Sequence, residues 1–492
     1  MPTLYTKLKA QFGPDHRKPG AAGPVSGLAR ERQKHRLLSE LLDFRESWRG
    51  SKRIVVVGAG FAGLAAAHEL RHAGYHVTIF EARNRVGGRV YSLADVVPGK
   101  NVEGGGELIG SNHPTWLTYR RQFDLDFLDV QDGTNSPFVL GGKLLTKAQA
   151  AALSKEMDHA FDEINKDAKR VLHPFRPWAQ ADLVEFDSMS LAWKIGELNV
   201  SPLCKRAVRA QLENDNGVVA EHQSYLAILA MVQGGGVEHY WTETEVYRCK
   251  GGNQRLAAAL AQPFFADGTL HLESPVARIE VLESHAAVTP RGGKPIWADD
   301  VVLAVPPSVW RSIQFKPGMR KYLPELPQMG RNVKYLMALK KEFWIGTKRS
   351  PDLGSDVPIG DTWHSTQGQS GPGAAMVAFS GAKGAEICGK WDAVSRTKNY
   401  VKALKLPYPG LAGSLVEGRF MNWPEERWTK ASYCFSAPGQ VTKCGPVLWK
   451  GIENRLHFAG EHTCYAFPGY MEGALHSGAA IAKRLARRDG II

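Results

Sequence analysis

SKRIVVVGAGFAGLAAAHELRHAGYHVTIFEARNRVGGRV, residues 51–90, decides the fold of this chain. IVVVGAG is a β-branched run ending in glycine, the pattern of a strand buried on both faces of a parallel sheet. Gly58, Gly60 and Gly63 form GxGxxG, and an alanine- and leucine-rich helix follows over about 61–72. Gly74 stops that helix, and HVTIF makes a second strand that ends at Glu81. The glycines have separate tasks: Gly58 permits the tight turn, Gly60 lets backbone approach a pyrophosphate, and Gly63 allows close helix-to-strand packing. The helix N-terminus offers unpaired N–H groups and partial positive charge to the phosphates. Glu81, about 20 residues beyond the glycines, can accept both hydroxyls of an adenosine ribose. This strand, turn, helix, strand and acid series reads as a dinucleotide site, without separating NAD from FAD.

The bulk numbers set the frame. A chain of 492 residues is too long for one ordinary core and predicts two domains, or two interleaved ones. Its 43% hydrophobic and 23% charged residues fit a globular protein. No apolar run approaches the ~18 residues of a membrane span, and YLAILAMV at 225–232 reads as a buried helix segment. The N-terminal MPTLYTKLKAQFGPDHRKPG has no apolar core of about 7 to 15 residues, so a secretory signal is not expected and a cytoplasmic location is. Residues 29–49 place Leu37, Leu38, Leu41, Leu42 and Trp48 at helical spacing, predicting an amphipathic helix that packs on its own domain, with a membrane surface or a partner subunit as alternatives. Cys204, Cys249, Cys388, Cys434, Cys444 and Cys464 show no CxxC pair and no metal-cage or disulfide spacing, which predicts free thiols and no metal. The net charge of +13 is spread along the chain with no nucleic-acid recognition module, so no nucleic-acid partner is expected.

The continuation RVGGRV, 85–90, resembles the second phosphate-contacting segment of glutathione-reductase-like FAD proteins, in particular the flavin amine oxidase family. The resemblance implies FAD, and adds Arg83, Gly88 and Arg89 to the cofactor-binding set. RLHFAGEHTCYAFPGYMEGALHSGAAIAKRLARR, from Arg455, reads as strand, loop and long final helix, and HFAGE and GYMEGAL resemble the monoamine oxidase branch. By that resemblance Glu461 binds the ribityl or phosphate region and Met471 offers its backbone to the isoalloxazine ring. A helix N-terminus there would also stabilise the negative charge of reduced flavin.

NVKYLMALKKEFW, 332–344, resembles the family segment whose lysine sits by flavin N5 through a water, and Lys334 takes that place. A cation there favours anionic reduced flavin and developing superoxide. NWPEERWTKASYCFSAPG, 422–439, resembles the segment that supplies one of two facing aromatic walls, which fall on Tyr433 and Tyr470. Two such rings hold an amine by shape and by their π-faces. By resemblance, the flavin-bonding cysteine of the mammalian monoamine oxidases aligns with Ser432, which cannot form a thioether, and strand alternation keeps Cys434 away. Noncovalent FAD follows.

HLESPVARIEVLE, HAAVTP and ADDVVLAVPP, within 270–307, read as a β-meander returning to the parallel sheet, with Val276 placed near the adenine by resemblance. The expected class is α/β, a glutathione-reductase-like FAD-binding Rossmann domain with an interleaved α+β substrate domain. Residues 51–111, 237–309 and 440–492 form the discontinuous FAD-binding domain, 112–236 and 310–439 the substrate-binding domain, and 1–50 an N-terminal arm with the amphipathic helix.

VEGGGELIG, 102–110, bears on the substrate. The family's amino-acid oxidases carry a carboxylate-clamping arginine in the aligned segment, whereas here the position is Leu108, beside Glu107. Glu107 attracts a second ammonium or hydroxyl, or bonds flavin or backbone groups; Arg120 and Arg121 are the other candidates for a clamp. The expected activity is hydride transfer from an amine α-carbon to flavin N5, imine hydrolysis, and reduction of O2 to hydrogen peroxide, with the neutral amine as reactive form. An L-amino-acid oxidase, a flavin-dependent desaturase of the same fold and a non-catalytic flavoprotein remain as alternatives, and the sequence leaves a homo-oligomer open.

Overall fold

In the computed structural model, which describes residues 3–13, 52–130, 135–347, 349–356 and 358–492, the run RIVVV becomes Arg53–Val57, the central strand of a five-stranded sheet. His76–Phe80 and Leu270–His271 lie to one side, Asp300–Leu303 and Leu456–Phe458 to the other, and every pairing is parallel. Ile54, Val56 and Ile79 are fully buried, as strands covered on both faces require. The chain leaves the central strand through Gly58, whose φ of 104° suits glycine, and enters helix Phe61–His72. The closing helix Met471–Arg488 packs across it. A Cβ at Gly478 would stand 2.2 Å from the Ala62 carbonyl oxygen, and one at Gly63 1.9 Å from that of Gly58. Backbone therefore meets backbone where the fingerprint glycines fall.

The first two meander segments form strands Val276–Val281 and Ala286–Pro290, and Ile296–Ala298, which the reading did not single out, and Gln314–Lys316 complete a four-stranded sheet. Asp300–Leu303 then returns to the parallel sheet beside Arg53–Val57. A seven-stranded sheet is built around Asn332–Leu339, buried along its whole length between antiparallel Ala374–Gly381 and Leu415–Asn422. Helices Lys147–Ala168, Pro202–Asn216 and Tyr225–Gly234 share another apolar core, and the YLAILAMV run is buried there. Residues 112–236 are mostly helical. They include strand Phe138–Leu140, too short to show a period, which pairs in parallel with Gly354–Ser355.

Residues 29–49, read as an amphipathic helix, lie outside the described residues. A helix that the sequence reading did not single out is Leu4–Phe12, capped by Thr3, whose side chain accepts from Thr6 N–H. It buries Leu4 and Leu8 against Phe161 and its neighbours. Lys7 is fully enclosed, with Nζ 2.5 Å from Asp361 Oδ1 and 2.6 Å from the Leu353 carbonyl oxygen. Lysines seldom sit in cores unless paired, which is why LYTKLKAQF did not stand out as a packed helix. Among the described residues no helix is long and apolar enough to cross a membrane. All six cysteines are buried and free.

Candidate functional site

Two glycine turns meet edge to edge. Gly60 and Gly87 form an isolated parallel bridge, Gly87 N–H donates to the Ala59 carbonyl at 2.9 Å, and a Cβ at Gly88 would stand 3.1 Å from Gly60 Cα. Helix Phe61–His72 begins at Gly60 with no side chain capping it, so its first N–H groups face the space between the turns. Glu81 is buried at the end of the second strand; Oε2 accepts from Ala59 N–H at 2.7 Å and Oε1 from Arg83 N–H at 2.8 Å. Arg83 itself reaches Glu426 and Thr429, tying this edge to the far loop. One long cavity runs from Gly58, Gly60, Glu81 and Val276 past Gly88 and Arg89 to Lys334, Tyr433, Tyr470 and Met471. Its adenosine-like end carries a hydrogen-bonding acid and its other end two aromatic rings and a lysine, which fits an extended dinucleotide bearing a flavin. Gly63 packs at the helix base rather than in that wall.

Lys334 projects from the buried strand Asn332–Leu339. Its Nζ donates to Gly105 O at 2.8 Å, Glu107 Oε2 at 2.8 Å and Glu103 O at 3.2 Å, so all three donors are used within the chain. A bridging water would have to replace one of these, and the longest, to Glu103, is the weakest. Trp363 lies beneath the ammonium, 5.3 Å from Nζ to ring centroid.

The structure corrects the reading of Glu107 and Leu108. Gly105 and Gly106 line the cavity, whereas residues 107 and 108 do not. The Glu107 carboxylate also accepts from Arg248 Nε at 2.8 Å, Trp363 Nε1 at 2.8 Å and Ser365 Oγ at 3.2 Å. Burial works to raise its pKa, but the charges of Lys334 and Arg248 outweigh that and hold it near about 2. A carboxylate so fully engaged has no capacity left for a substrate. Leu108 is buried and does not line the cavity. What bears on a substrate carboxylate is the pairing of the cavity's cations: Arg83 is bound to Glu426, Arg89 to Glu461, and Lys334 to Glu107. Arg120 and Arg121 are also absent from the wall.

Glu103, whose carbonyl takes one of the Lys334 bonds, turns its carboxylate elsewhere, accepting from Asn253 N–H and Ser92 Oγ. Burial raises its pKa to about 7. A carboxyl raised in the folded state stabilises fully below its unfolded value of 4.5 and loses that contribution as pH rises through about 7. We expect Glu103→Gln to shrink the loss of unfolding free energy between about pH 5 and about pH 8 by about 3 kcal/mol. Urea melts at the two pH values check this, and an unchanged pH slope refutes it.

Tyr433 and Tyr470 both line the cavity. The Tyr433 hydroxyl donates to the Asp215 carbonyl, and the Tyr470 hydroxyl lies 3.3 Å from that of Tyr240. A Cβ on Gly469 would come within 3.0 Å of the Tyr433 ring, so the turn before Tyr470 rests on that ring. Glu461 holds the two segments together. Its oxygens accept from Cys434 N–H at 3.2 Å, Gly469 N–H at 2.8 Å and the Arg89 guanidinium at 2.7 Å. Ser432 lines the cavity and Cys434 does not, although residues 432–434 form only a bridge rather than the strand that the alternation argument assumed.

Met471 opens the last helix, whose first turn has no side-chain cap. Beside it lies a carboxylate that sequence reading missed. Glu472 accepts from Thr115 and Trp116 N–H, both at 3.0 Å, so it caps helix Pro114–Gln122 from across the fold. Nothing local to GYMEGAL signals that pairing.

The family described as flavin-containing amine oxidoreductase matches residues 61–486, and a pyridine nucleotide-disulphide oxidoreductase family matches residues 15–101. A probable flavin-containing monoamine oxidase A of Dictyostelium discoideum is 25% identical over 456 residues, covering 88% of this chain and 97% of the relative. The human flavin-containing amine oxidase B is 26% identical over 470 residues, covering 89% of this chain and 87% of that one. The solved cyclohexylamine oxidase from Brevibacterium oxydans superposes with a TM-score of 0.81 at 22% identity, over 90% of this chain and 100% of its own. With its Rossmann-like sheet, its paired glycine turns and a match across most of its length, this chain belongs to the flavin-containing amine oxidoreductases and uses FAD.

Proposed function

We propose that the protein is an amine oxidase that removes a hydride from the α-carbon of an amine lacking an α-carboxylate. The single observation carrying this reading is that Lys334, Tyr433 and Tyr470 line one cavity with the dinucleotide turns, while every arginine and lysine in that wall is committed to a carboxylate of the chain. FAD, which these residues would hold noncovalently, would supply the two-electron acceptor, and its reoxidation by dioxygen would give hydrogen peroxide. Gly58, Gly60, Gly88 and the helix N-terminus hold its phosphates, with Arg83 and Arg89 on the loop side, while Glu81 and Val276 take the adenosine end. Met471 bounds the ring end.

The chain's own contribution is placement and charge. Tyr433 and Tyr470 hold the neutral amine between them by shape, and their bonded hydroxyls fix each ring. The Lys334, Arg248 and Glu107 group carries one net positive charge in a buried setting, which favours the negative charge that develops on reduction. The imine leaves and is hydrolysed by water.

Anaerobic mixing of the yellow holoprotein with phenethylamine and, separately, L-phenylalanine tests this, because the two differ by a carboxylate. We expect bleaching by the amine at least ten times faster than by the amino acid, and peroxide on readmission of air. Bleaching by the amino acid alone makes the protein an L-amino-acid oxidase. Bleaching without oxygen uptake assigns another electron acceptor.

A further inference from the structure

Arg248 does not line the cavity, yet its buried guanidinium stands one carboxylate behind the cavity wall. It lies in the short strand Tyr247–Cys249, where Tyr247 exchanges both backbone hydrogen bonds with Ile109 at 2.9 Å. That bridge brings Arg248 beside Glu107, two residues before Ile109, and Nε donates to Oε1 at 2.8 Å. Glu107 Oε2 accepts from Lys334 Nζ at the same distance, so one carboxylate serves two cations. Among the described residues neither cation has a second ion-pair partner, and Arg248 Nη1 and Nη2 are enclosed with no hydrogen-bond partner.

The three charges have different tasks. A buried lysine sheds its proton readily unless a negative group faces it, and Glu107 is that group for Lys334. The same carboxylate cancels most of the field of Lys334 beyond the pair. A guanidinium keeps its proton even when buried, so Arg248 is the cation left over. Neighbouring titratable groups do not offset it. Burial, then the charge of Arg248, lower the His364 pKa to about 4, which leaves that ring neutral, and burial keeps the Glu103 carboxyl protonated up to about 7. Lys100, which donates to the Gly373 carbonyl at 2.7 Å, adds only to the positive side.

We propose that Arg248 is a positioning residue that acts through Glu107 and Lys334, supplying the uncompensated positive charge that makes the cavity hold reduced FAD more tightly than oxidised FAD. Reduction adds two electrons and one proton and so leaves one negative charge on the flavin, which is the charge this cation meets. The proposal rests on the flavin site of the amine oxidase reading and deepens it: Lys334 presents a cation at the wall, and Arg248 sets the charge of the group from behind it.

The test is the midpoint potential of the flavin in the full-length holoprotein at pH 6, read against a reference dye during slow chemical reduction with no amine present. Arg248→Met leaves Lys334 and Glu107 paired, so it strands no charge. It weakens the binding of reduced relative to oxidised FAD at least threefold, a fall of about 14 mV or more. Arg248→Gln, which keeps a donor without the charge, gives the same fall and serves if the methionine variant folds poorly. Arg248→Lys keeps the charge and stays within threefold of the wild type. Glu107→Gln removes the negative charge and leaves Arg248 its own, so the potential holds or rises. A smaller fall in both neutral variants, an equal fall in Arg248→Lys, or a fall in Glu107→Gln overturns the proposal. Because no amine takes part, absence of bleaching by any amine defeats the amine oxidase reading and not this one.

Discussion

Replacing Lys334 with methionine lowers the second-order rate at which dioxygen reoxidises the reduced flavin by roughly a hundredfold, and slows anaerobic reduction by the amine much less. The asymmetry follows from where charge appears. In the proposed reaction the amine would enter neutral and leave as an imine, while the electron pair left behind, and the reduced oxygen that would take it up, would be negative. Lys334 supplies a fixed positive charge in a site that excludes water, where an electrostatic contribution is large. The same substitution leaves Glu107 buried with Arg248 as its remaining charged partner, and breaking a buried pair costs about 3–5 kcal/mol. Stability and chemistry are separated by the double variant Lys334→Met, Glu107→Gln. It removes the stranded charge, so melting recovers while reoxidation stays slow. Stopped-flow measurement of the two half-reactions, beside urea melts, decides. Equal slowing of both half-reactions removes the assigned role.

The parts of this fold that local sequence could reveal are those in which one segment satisfies itself. Gly58, Gly60, Gly63 and Glu81 lie within a single strand, turn, helix and strand, so hydrophobic run, turn chemistry and helix start all read together. The first two meander strands were legible for the same reason. Glu107 was read as a partner of substrate, flavin or backbone because it adjoins the position of the family's clamping arginine, and nothing in VEGGGELIG says that residues 105 and 106 face the cavity while 107 faces Lys334, 227 residues away. Glu472 is similar, its partners Thr115 and Trp116 lying more than 300 positions upstream. A buried charge is paired through the tertiary fold, and its partner carries no mark at its own position. The N-terminal helix shows the limit from the other side, since Lys7 reads as solvent-facing until Asp361 is seen.

Glu461→Ala lowers kcat/KM for phenethylamine by two to three orders of magnitude, and the loss persists in flavin-saturated protein. By resemblance Glu461 belongs with the cofactor's ribityl or phosphate region, but the hydrogen bonds give it further work. One carboxylate accepts from the N–H after Tyr433, from the N–H before Tyr470 and from Arg89, which itself donates to the Ser432 carbonyl at 2.7 Å. Removing it strands two backbone donors and a guanidinium, at about 1–3 kcal/mol for each unsatisfied neutral group. The two tyrosine segments then lose the bond that sets their separation, and a displacement of about 1 Å at a substrate-holding wall is enough for a hundredfold effect. Glu461→Gln retains an amide oxygen for one or two of the three donors and gives up the charge facing Arg89, so it falls between. The comparison uses variants reconstituted with excess FAD, with bound flavin measured by absorbance before kinetics. If the only defect is flavin content, and loaded Glu461→Ala turns over as the wild type does, Glu461 serves the cofactor alone. If KM rises while flavin content is restored, the carboxylate sets the spacing of Tyr433 and Tyr470, and the substrate slot is held by an acid that touches neither ring.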